Sequence, residues 1–417
     1  MIKSRHHILR LNLNQVEQLK ALQQEAARCW NNIVTMSKAY YAAGNGWIAK
    51  GELQKCLKGE YRLHSQTVQA LTDRYCSNRQ TAAANRRLGL ETQYPWREKR
   101  FVTVPFKQMA IRRSPTGTLE LTLCAGERFD TGLGFPDGVH TCELLWRAGR
   151  YFLSVIAEYP ETAPVANGQI AGVDIGEIHP VALCTEDGSG LIVSGREVRS
   201  VKRHRNKELG KLSRALSRCK QGSRRWKKLR RARGWVRSKT DHQVQNLLHQ
   251  ATRKAIDWCA ARNVEELVIG NPSGVERNTN MQKRLGRKAR QKITQMETGR
   301  IKQYLGYKAR ERGIATCLVG EQGTSRDCPV CGRANRPAGR YYQCVCGFTS
   351  HRDGKAAFMM IRQKYCTLRM PERFSFEHKQ AIPTYRKRQM PACVVGTDEP
   401  LSCLAKAKPL LGTLSAA

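Results

Sequence analysis

The sequence contains no apolar run near the ~20 residues that a membrane-spanning helix needs, and it carries no lipidation motif. The first residues, MIKSRHHILRLNL, also lack the apolar core of a secretory signal peptide. These two absences argue against membrane-embedded and secreted proteins. We expect the chain to stay in the compartment where it is made.

Acidic residues are scarce as well. The 34 Asp and Glu residues face 73 Lys and Arg residues, which gives a formal net charge of +39 over 417 residues. A charge of this size repels itself in a compact chain, so a polyanionic partner is expected to balance it. Without apolar spans, nucleic acid suits this charge better than a membrane surface. The length allows two or three domains with at least one sizeable core.

A disulfide framework is not apparent, although the chain has 16 cysteines. Twelve of them are scattered singly, many inside apolar segments, where a free cysteine behaves as a small hydrophobic residue. The other four form one tight cluster. Scattered thiols with a single cluster predict a reducing, intracellular compartment and one metal site.

The first 165 residues show no constellation that resembles an active site. Residues 14–90 carry apolar side chains at three-to-four spacing, which predicts helices. Residues 97–160 change to short β-like runs separated by Gly, Pro and Asp. We expect a helical bundle followed by a small β-barrel, and we expect this half to bind nucleic acid rather than cut it.

A different organisation begins near residue 168. The runs IAGVDIG, VALCTEDG and LIVSG predict three strands, and a long basic helical stretch follows at about 198–233. A further helix over DHQVQNLLHQATRKAIDWCAARN precedes a fourth strand at 266–270, and more helix leads to a fifth strand at 314–320. An antiparallel trio continued by parallel strands between helices is the RNase H-like order.

The cysteine cluster reads CPVCGRANRPAGRYYQCVCG. Two thiolate pairs flank a loop rich in turn-forming residues, and four thiolates can complete a tetrahedron around zinc. A site with four protein ligands has no open position, so we predict structural zinc; the alternative is four unliganded cysteines. The second pair is Cys-x-Cys, one residue shorter than usual. The predicted ligands are Cys328, Cys331, Cys344 and Cys346.

Two aspartates stand out in this half. Asp174 lies inside the apolar run VDIG, where a carboxylate is costly unless it is paired or binds metal. Asp353 follows the cysteine cluster at the start of a predicted helix, where it could also simply complement the helix dipole. On the first strand and last helix of an RNase H-like fold, both side chains would converge where two Mg²⁺ ions can be held.

At this point a family resemblance becomes specific. TSRDCPVCGRANRPAGRYYQCVCGFTSHRDGKAAFMMI resembles the C-terminal signature of the TnpB nucleases and the related type V CRISPR effectors. GVDIG resembles their first RuvC motif, RKARQKITQMETGRIKQYLGYKARERG the helix before their ribbon, and YPWREKRF a segment of their N-terminal half. The strong likeness covers about 168–365, and the N-terminal half matches only in outline.

The resemblance implies a multidomain α+β fold: an N-terminal wedge β-barrel with a helical recognition insertion, then an RNase H-like RuvC domain with an inserted zinc ribbon. The resemblance also implies a division of the chain into domains. The segments are 1–12 and 95–165 (wedge), 13–94 (recognition helices), 166–324 and 348–365 (RuvC), 325–347 (zinc ribbon) and 366–417 (poorly ordered tail).

The chain departs from the family pattern at one catalytic position. The family usually has a glutamate at the end of the fourth strand, where this sequence has Gly270 and Asn271. Neither residue replaces a carboxylate for a hard cation. Glu321 ends the fifth strand, about 5 Å away in such a sheet, and some TnpB proteins and their Fanzor relatives show a glutamate moved to this later position. Glu276 is the runner-up, and Glu321 as a merely solvated strand-end residue is the alternative.

A strongly basic segment runs from Arg196 to Lys239, with 19 Lys or Arg and only two acids. Its partner is expected to be a nucleic-acid backbone, and in the family this region contacts the guide–target heteroduplex. Trp226 and Trp235 either stack on bases or pack this helix against its neighbour. The six residues expected to bind nucleic acid are Arg224, Arg225, Lys227, Lys228, Arg230 and Arg231.

By resemblance, the chain is expected to be a transposon-associated, RNA-guided, Mg²⁺-dependent DNA endonuclease of prokaryotic cytoplasm, associated with the nucleoid. Asp174, Glu321 and Asp353 would hold two Mg²⁺, and the partners would be a guide RNA and double-stranded target DNA with a short adjacent motif. Three alternatives stay open: a nuclease-inactive RNA-guided DNA-binding regulator, a compact type V CRISPR effector, and a nuclease without a guide such as a junction resolvase.

Overall fold

The computed structural model describes residues 2–147, 149–272, 285–335 and 339–382. The N-terminal part begins with a strand, β1 (Ile2–Ile8), and three helices follow before the next strand. These helices are α1 (Leu13–Ala42), α2 (Lys50–Cys56) and α3 (Ser65–Arg87). Asn12 begins α1 with a capping box: its side chain accepts from the Gln15 amide, and the Gln15 side chain accepts from the Asn12 amide.

Strands fill the rest of the N-terminal part. They are β2 (Val104–Lys107), β3 (Ile111–Arg113), β4 (Thr118–Cys124), β5 (Glu127–Gly134), β6 (Val139–Arg147) and β7 (Arg150–Glu158), with a 3₁₀ turn at Gln108–Ala110. One sheet has the order β1-β7-β6-β2 and a second has the order β3-β4-β5. The three helices therefore lie in the chain between β1 and β2, two strands of the same sheet. The barrel and its assignment as a wedge stay predictions.

The helices and both sheets share one apolar core. Trp30, Ile33, Leu71 and Tyr75 from the helices belong to the same buried cluster as Phe106 and the inward-facing side chains of the strands. Trp30 and Tyr75 meet edge to face with ring centroids 5.7 Å apart. The helical insertion is therefore packed onto the sheets that carry it.

The second half is built around a six-stranded sheet. Its strands are β8 (Gln169–Asp174), β9 (Val181–Thr185), β10 (Ser189–Ser194), β11 (Val264–Asn271), β12 (Ala315–Gly320) and β15 (Ser375–Gln380), in the order β12-β11-β8-β9-β10-β15. The first three pair antiparallel, and β11 is parallel to both β8 and β12. This is the RNase H-like order that the sequence predicts.

Two predictions were wrong in this half. The tail expected to be poorly ordered from residue 366 contains β15, which pairs in parallel with β10. The segment SFEHKQ has little apolar character. Its backbone pairing, the packing of Phe376, and hydrogen bonds that Trp258 and Arg262 donate to Glu377 hold it at the sheet edge. The basic stretch does not end near 233 either: the helix breaks earlier, at a turn where Gly222 has φ +83°, and then continues without interruption.

The break at Gly222 separates the first two helices of this half, and three more are described after them. They are α4 (Arg196–Ser217), α5 (Arg224–Ala260), α6 (Arg287–Thr294), α7 (Thr298–Arg310) and α8 (Arg352–Lys364). Ser223 caps α5 by accepting from the Trp226 amide. α5 and α7 pack on one face of the sheet, with Leu247, Ala251 and Ile301 in its core.

α8 covers the opposite face, directly on β8. A Cβ on Gly172 would lie 1.9 Å from the Ala357 carbonyl oxygen, so only glycine allows this approach. The short strands β13 (Tyr341–Gln343) and β14 (Thr349–His351) form a hairpin just before α8. The chain thus brings the end of β8, the end of β12 and the start of α8 to one edge of the sheet.

Candidate metal centres and nucleic-acid interface

Asp174 is the last residue of β8 and lies beside the start of α8. Burial raises the pKa of its carboxyl well above the usual range, and the neighbouring carboxylates of Asp353 and Glu321 raise it further. The structure therefore brings the three predicted acids into electrostatic contact. In the described part of the chain, the tightest groups of potential metal ligands have all their ligand atoms within 4.8 Å of one another. The three acids are spaced more widely than that.

Glu321 follows β12 directly, and β12 pairs with β11 so that Val319 faces Gly270. The Glu321 side chain turns back over β11: its Oε1 lies 2.5 Å from the position that a Cβ on Gly270 would take. Oε1 is buried and has no hydrogen-bond partner among the described residues. Burial raises the pKa of Glu321 to about 7, against the opposing charge of Lys302. A buried acceptor without a donor fits a cation ligand.

Asn271 is not available for the same purpose. Lys302 Nζ donates to its Oδ1 at 2.6 Å, so the amide oxygen at the end of β11 already has a cationic partner. Glu276, the other candidate glutamate, lies outside the described residues. Of the acids considered at the middle position, only Glu321 lies at the carboxylate cluster within the described part of the chain.

Asp353 lies in the first turn of α8 and is surrounded by basic groups. His179 Nδ1 is 2.6 Å from its Oδ2, Arg340 Nη1 is 3.5 Å from the same oxygen, and Arg352 Nε is 3.9 Å from Oδ1. Burial alone would raise the pKa of Asp353, but the hydrogen bond with His179 and the nearby basic groups outweigh it and lower the pKa. Asp353 is therefore ionised and already paired.

Two histidines that the sequence reasoning missed lie at this site. His179 follows β8, and His351 precedes α8 and caps it by accepting from the Gly354 amide at 3.5 Å. One nitrogen of each ring and one oxygen of Asp353 all lie within 4.8 Å of one another. Burial lowers the pKa of His351 to about 4. His351 lies two positions before Asp353, and this short spacing was a signal that could have identified it from the sequence. His179 is 174 positions from Asp353, so no local pattern links the two.

The four cysteines of the predicted zinc site converge. Cys328 Sγ is 3.6 Å from Cys346 Sγ, and Cys331 Sγ is 3.5 Å from Cys344 Sγ. Zn–S bonds of about 2.3 Å place tetrahedral sulfurs roughly 3.8 Å apart, so the donor set fits a zinc ion. The shorter Cys-x-Cys spacing is accommodated by a turn in which Gly347 has φ +87°.

The cysteine cluster is fixed to α8 of the second half. Lys355 of α8 is fully buried, donates to the Asp327 carbonyl at 2.8 Å and lies 3.9 Å from the centre of the Tyr342 ring. Arg340, which precedes β13, reaches Asp353. The ribbon-like segment and the carboxylate cluster are therefore in direct contact.

The basic helices present their charge to solvent. All six residues expected to bind nucleic acid lie in the first two turns of α5, and none forms an ion pair with an acid in the described residues. All six are exposed. Trp226 is half-buried, with the Arg230 guanidinium 5.1 Å from its ring centre. Trp235 is 56% exposed.

Trp235 also lines a large cleft between β1, β7, α5 and α7. Its wall combines basic side chains with aromatic rings, including Phe152 and His242, whose centroids are 6.2 Å apart. The basic residues of the cleft are Lys3, Arg5, Arg147, Arg150, Lys239 and Arg253. Cationic walls with exposed rings suit a nucleic-acid strand. In the described part of the chain, no helix is long and apolar enough to cross a bilayer.

Two family models match the chain. Residues 154–276 match OrfB_IS605, described as a probable transposase, and residues 299–360 match the Cas12f1-like TNB domain. The second match spans α7, β12, the cysteine cluster and most of α8. No curated protein sequence matches the chain significantly.

Among solved structures, the cryo-EM structure of the Cas12f1–sgRNA–target DNA complex is similar, with a TM-score of 0.57, 14% identity, and coverage of 85% of this chain and 84% of that chain. A CRISPR–Cas12f ternary complex (15% identity, 83% and 81% covered) has a TM-score of 0.36. CasPhi-2 (Cas12j) bound to crRNA (9%, 89% and 99%) has a TM-score of 0.45. The last two scores are too low to establish a shared fold.

At 14% identity, the Cas12f1 complex supports the fold alone, a mixed α+β multidomain architecture. The two family models match in the order of the chain and include the half that holds the acids and the cysteine cluster. The two matches, to a probable transposase over 154–276 and to the Cas12f1-like TNB domain over 299–360, support membership of the TnpB family.

Proposed function

We propose that this chain is an RNA-guided DNA endonuclease of RuvC type that hydrolyses phosphodiester bonds of a target DNA with bound Mg²⁺. Membership of the TnpB family supports this proposal, as does a solved fold neighbour that is a complex with sgRNA and target DNA. The observation that carries it is Glu321, whose unpartnered buried carboxylate stands over Gly270 beside Asp174. Glu321 thus replaces the acid that the fourth strand lacks.

The three acids fit a pair of divalent cations because Asp353 and Glu321 are close enough to raise the pKa of Asp174, and because the Glu321 Oε1 has no partner among the described residues. Asp174, Glu321 and Asp353 would hold the ions, which activate water and stabilise the departing 3′ oxygen when bound. His179 orients the Asp353 carboxylate by the hydrogen bond at its Oδ2. Lys302 donates to the Asn271 amide oxygen, which therefore already has a cationic partner.

The remaining parts have separate roles in the proposal. The four cysteines hold a structural zinc ion that orders the segment carrying Arg340. The exposed basic face of α5 binds the sugar-phosphate backbone of the guide–target duplex, while base pairing supplies sequence. The N-terminal sheets, proposed as a wedge, and the helices inserted in them bind guide RNA and the short motif beside the target. The family implies a transposon-encoded protein.

The test is Mg²⁺-dependent cleavage of matched target DNA by protein purified with its RNA, expressed from the natural locus. Glu321→Ala and Asp174→Ala are expected to lose cleavage at least ~100-fold while keeping target binding. Glu91→Ala is the matched control, because Glu91 is exposed in the connection between α3 and β2. Guided binding without cleavage by the unchanged protein would instead make the chain a DNA-binding regulator. Cleavage without RNA would make it an unguided nuclease.

A further inference from the structure

The group formed by His179, His351 and Asp353 has a composition unlike that of the carboxylate site. It combines two imidazoles with one carboxylate, and one ligand atom from each residue lies within 4.8 Å of the others. Imidazole nitrogen suits transition metals such as Zn²⁺, Ni²⁺ and Cu²⁺, with Co²⁺ as a spectroscopic probe, whereas Mg²⁺ and Mn²⁺ prefer oxygen. A set of two histidines and one acid, which leaves one coordination position of the ion open, is common for such ions.

The elements that carry these residues are fixed before any ion binds. His351 is held by its capping contact, in which Nδ1 accepts from the Gly354 amide at 3.5 Å and Nε2 takes no part. The rings of His179 and His351 have centroids 5.4 Å apart. The exposed fractions of the His179 and Asp353 side chains are 13% and 16%. Ligand atoms around a tetrahedral ion lie roughly 3.4 Å apart. Rotation of the three side chains can bring their ligand atoms from the present spacing, within 4.8 Å, to that distance.

A cation already occupies this position. Arg340 Nη1 lies 3.1 Å from His179 Nδ1 and 3.5 Å from Asp353 Oδ2. Its side chain is 37% exposed, so it has room to turn toward solvent. The guanidinium therefore neutralises Asp353 where a metal ion would do so, and the two cations compete for the same ligands.

From this geometry we infer that His179, His351 and Asp353 form a binding site for one transition-metal dication, from which Arg340 must withdraw. The inference shares Asp353 with the proposed nuclease site and rests on the proposed function only there. The binding of such an ion is a property of the isolated protein, whether or not it cuts DNA.

The experiment titrates Co²⁺ into the full-length protein, with zinc measured in the same samples. We expect one saturable Co²⁺ equivalent at constant zinc, with weak visible bands and without the sulfur-to-cobalt charge-transfer bands of thiolate ligands. His179→Ala and His351→Asn are expected to weaken binding at least ~tenfold. Asparagine is chosen at 351 because it keeps a helix cap. His204→Ala, on the basic helix α4 away from this site, is the control.

Arg340→Gln supplies a second test that leaves all three ligands in place. Removal of the competing guanidinium is expected to tighten Co²⁺ binding several-fold. Absence of a saturable Co²⁺ equivalent at constant zinc would overturn the inference, and so would equal affinity in the His179, His351 and His204 variants. Mg²⁺-dependent cleavage without Co²⁺ binding would reject this transition-metal site and keep the proposed nuclease. Co²⁺ binding without cleavage would keep the site and reject the proposed nuclease.

Discussion

Glu321 fills the space that a side chain on Gly270 would need. Its Oε1 lies 2.5 Å, and its Cγ 3.0 Å, from the position of a Cβ built on Gly270. Glycine on β11 is therefore a condition for the carboxylate to reach the site from β12. Gly270 and Glu321 form one unit distributed over two neighbouring strands, and the missing fourth-strand acid is not in itself a sign of inactivity.

This relationship predicts that Gly270→Ala lowers cleavage strongly, because the new methyl group displaces the Glu321 carboxylate. Gly320→Ala is the matched control, since a Cβ there meets nothing within 4 Å. The double variant Gly270→Glu with Glu321→Ala is expected to recover part of the activity that Glu321→Ala loses. Cleavage rates on one target are compared for the four variants and the unchanged protein. Unchanged activity in Gly270→Ala would contradict the displacement.

The cysteine cluster predicts that Cys331→Ser loses most bound zinc. Structural zinc sites contribute on the order of 10 kcal/mol of apparent binding free energy, so the hairpin β13–β14 should lose its order and Lys355 its buried partners. We expect a lower thermal midpoint together with loss of zinc by elemental analysis. Cys56→Ser, at an exposed free cysteine on α2, should change neither quantity. Full zinc content in Cys331→Ser would disprove the four-thiolate site.

The exposed charge of α5 predicts weaker nucleic-acid binding when it is removed. Neutralising Arg224, Arg225, Lys227 and Lys228 together should make the slope of log affinity against log salt shallower, by about 0.9 for each phosphate that these side chains no longer neutralise. Measurements of binding to duplex at several salt concentrations give that slope. Arg312→Gln is a suitable control, because Arg312 is already paired with Asp257 at 3.1 Å. An unchanged slope would mean that other residues neutralise the phosphates.

Lys308 predicts a specific dependence of stability on pH. Burial lowers the pKa of this lysine from 10.5 to about 8, while its amino group donates to the His249 carbonyl and Thr252 Oγ1, both at 2.7 Å. Between pH 8 and 10.5 the unfolded chain holds more protons than the folded chain, so this residue makes stability rise with pH across that window. Its full effect on the free energy of unfolding is ~3 kcal/mol.

Lys308→Met removes the titrating group. Urea unfolding at about pH 7.5, below that window, and at about pH 10, near its upper end, should therefore show a smaller rise, or a steeper fall, in the variant than in the unchanged protein. All other titrating groups are common to the two proteins, so the difference isolates Lys308. Parallel pH profiles for both proteins would mean that the lysine is not perturbed by burial.

Local sequence patterns were sufficient for much of this fold. The runs around Asp174, at 266–270 and at 314–320 predicted strands of the central sheet in their observed order, because buried strands read as apolar segments between helices. The cysteine spacing predicted the cluster because four thiols in a short segment have few other uses.

Other features depend on contacts between distant parts of the chain. Strand β15 is mostly polar and exposed, so its identity comes from pairing with β10 rather than from a hydrophobic pattern. His179 meets Asp353 only because β8 and α8 bring their ends to the same edge of the sheet. The break in the basic helices was misplaced because Gly222 lies within a stretch whose composition is uniform on both sides.

The pairing of β1 with β7 sets an order of events during synthesis. The hydroxyls of Ser4 and Ser154 are 2.7 Å apart across this pair but 150 positions apart in the chain. At about 5–20 residues per second, β1 waits roughly 8–30 s for its neighbour to leave the ribosome. The local contacts of α1 to α3 can form in that interval, whereas the sheet edge stays open. We expect nascent chains stalled before β7 to expose this edge to chaperones.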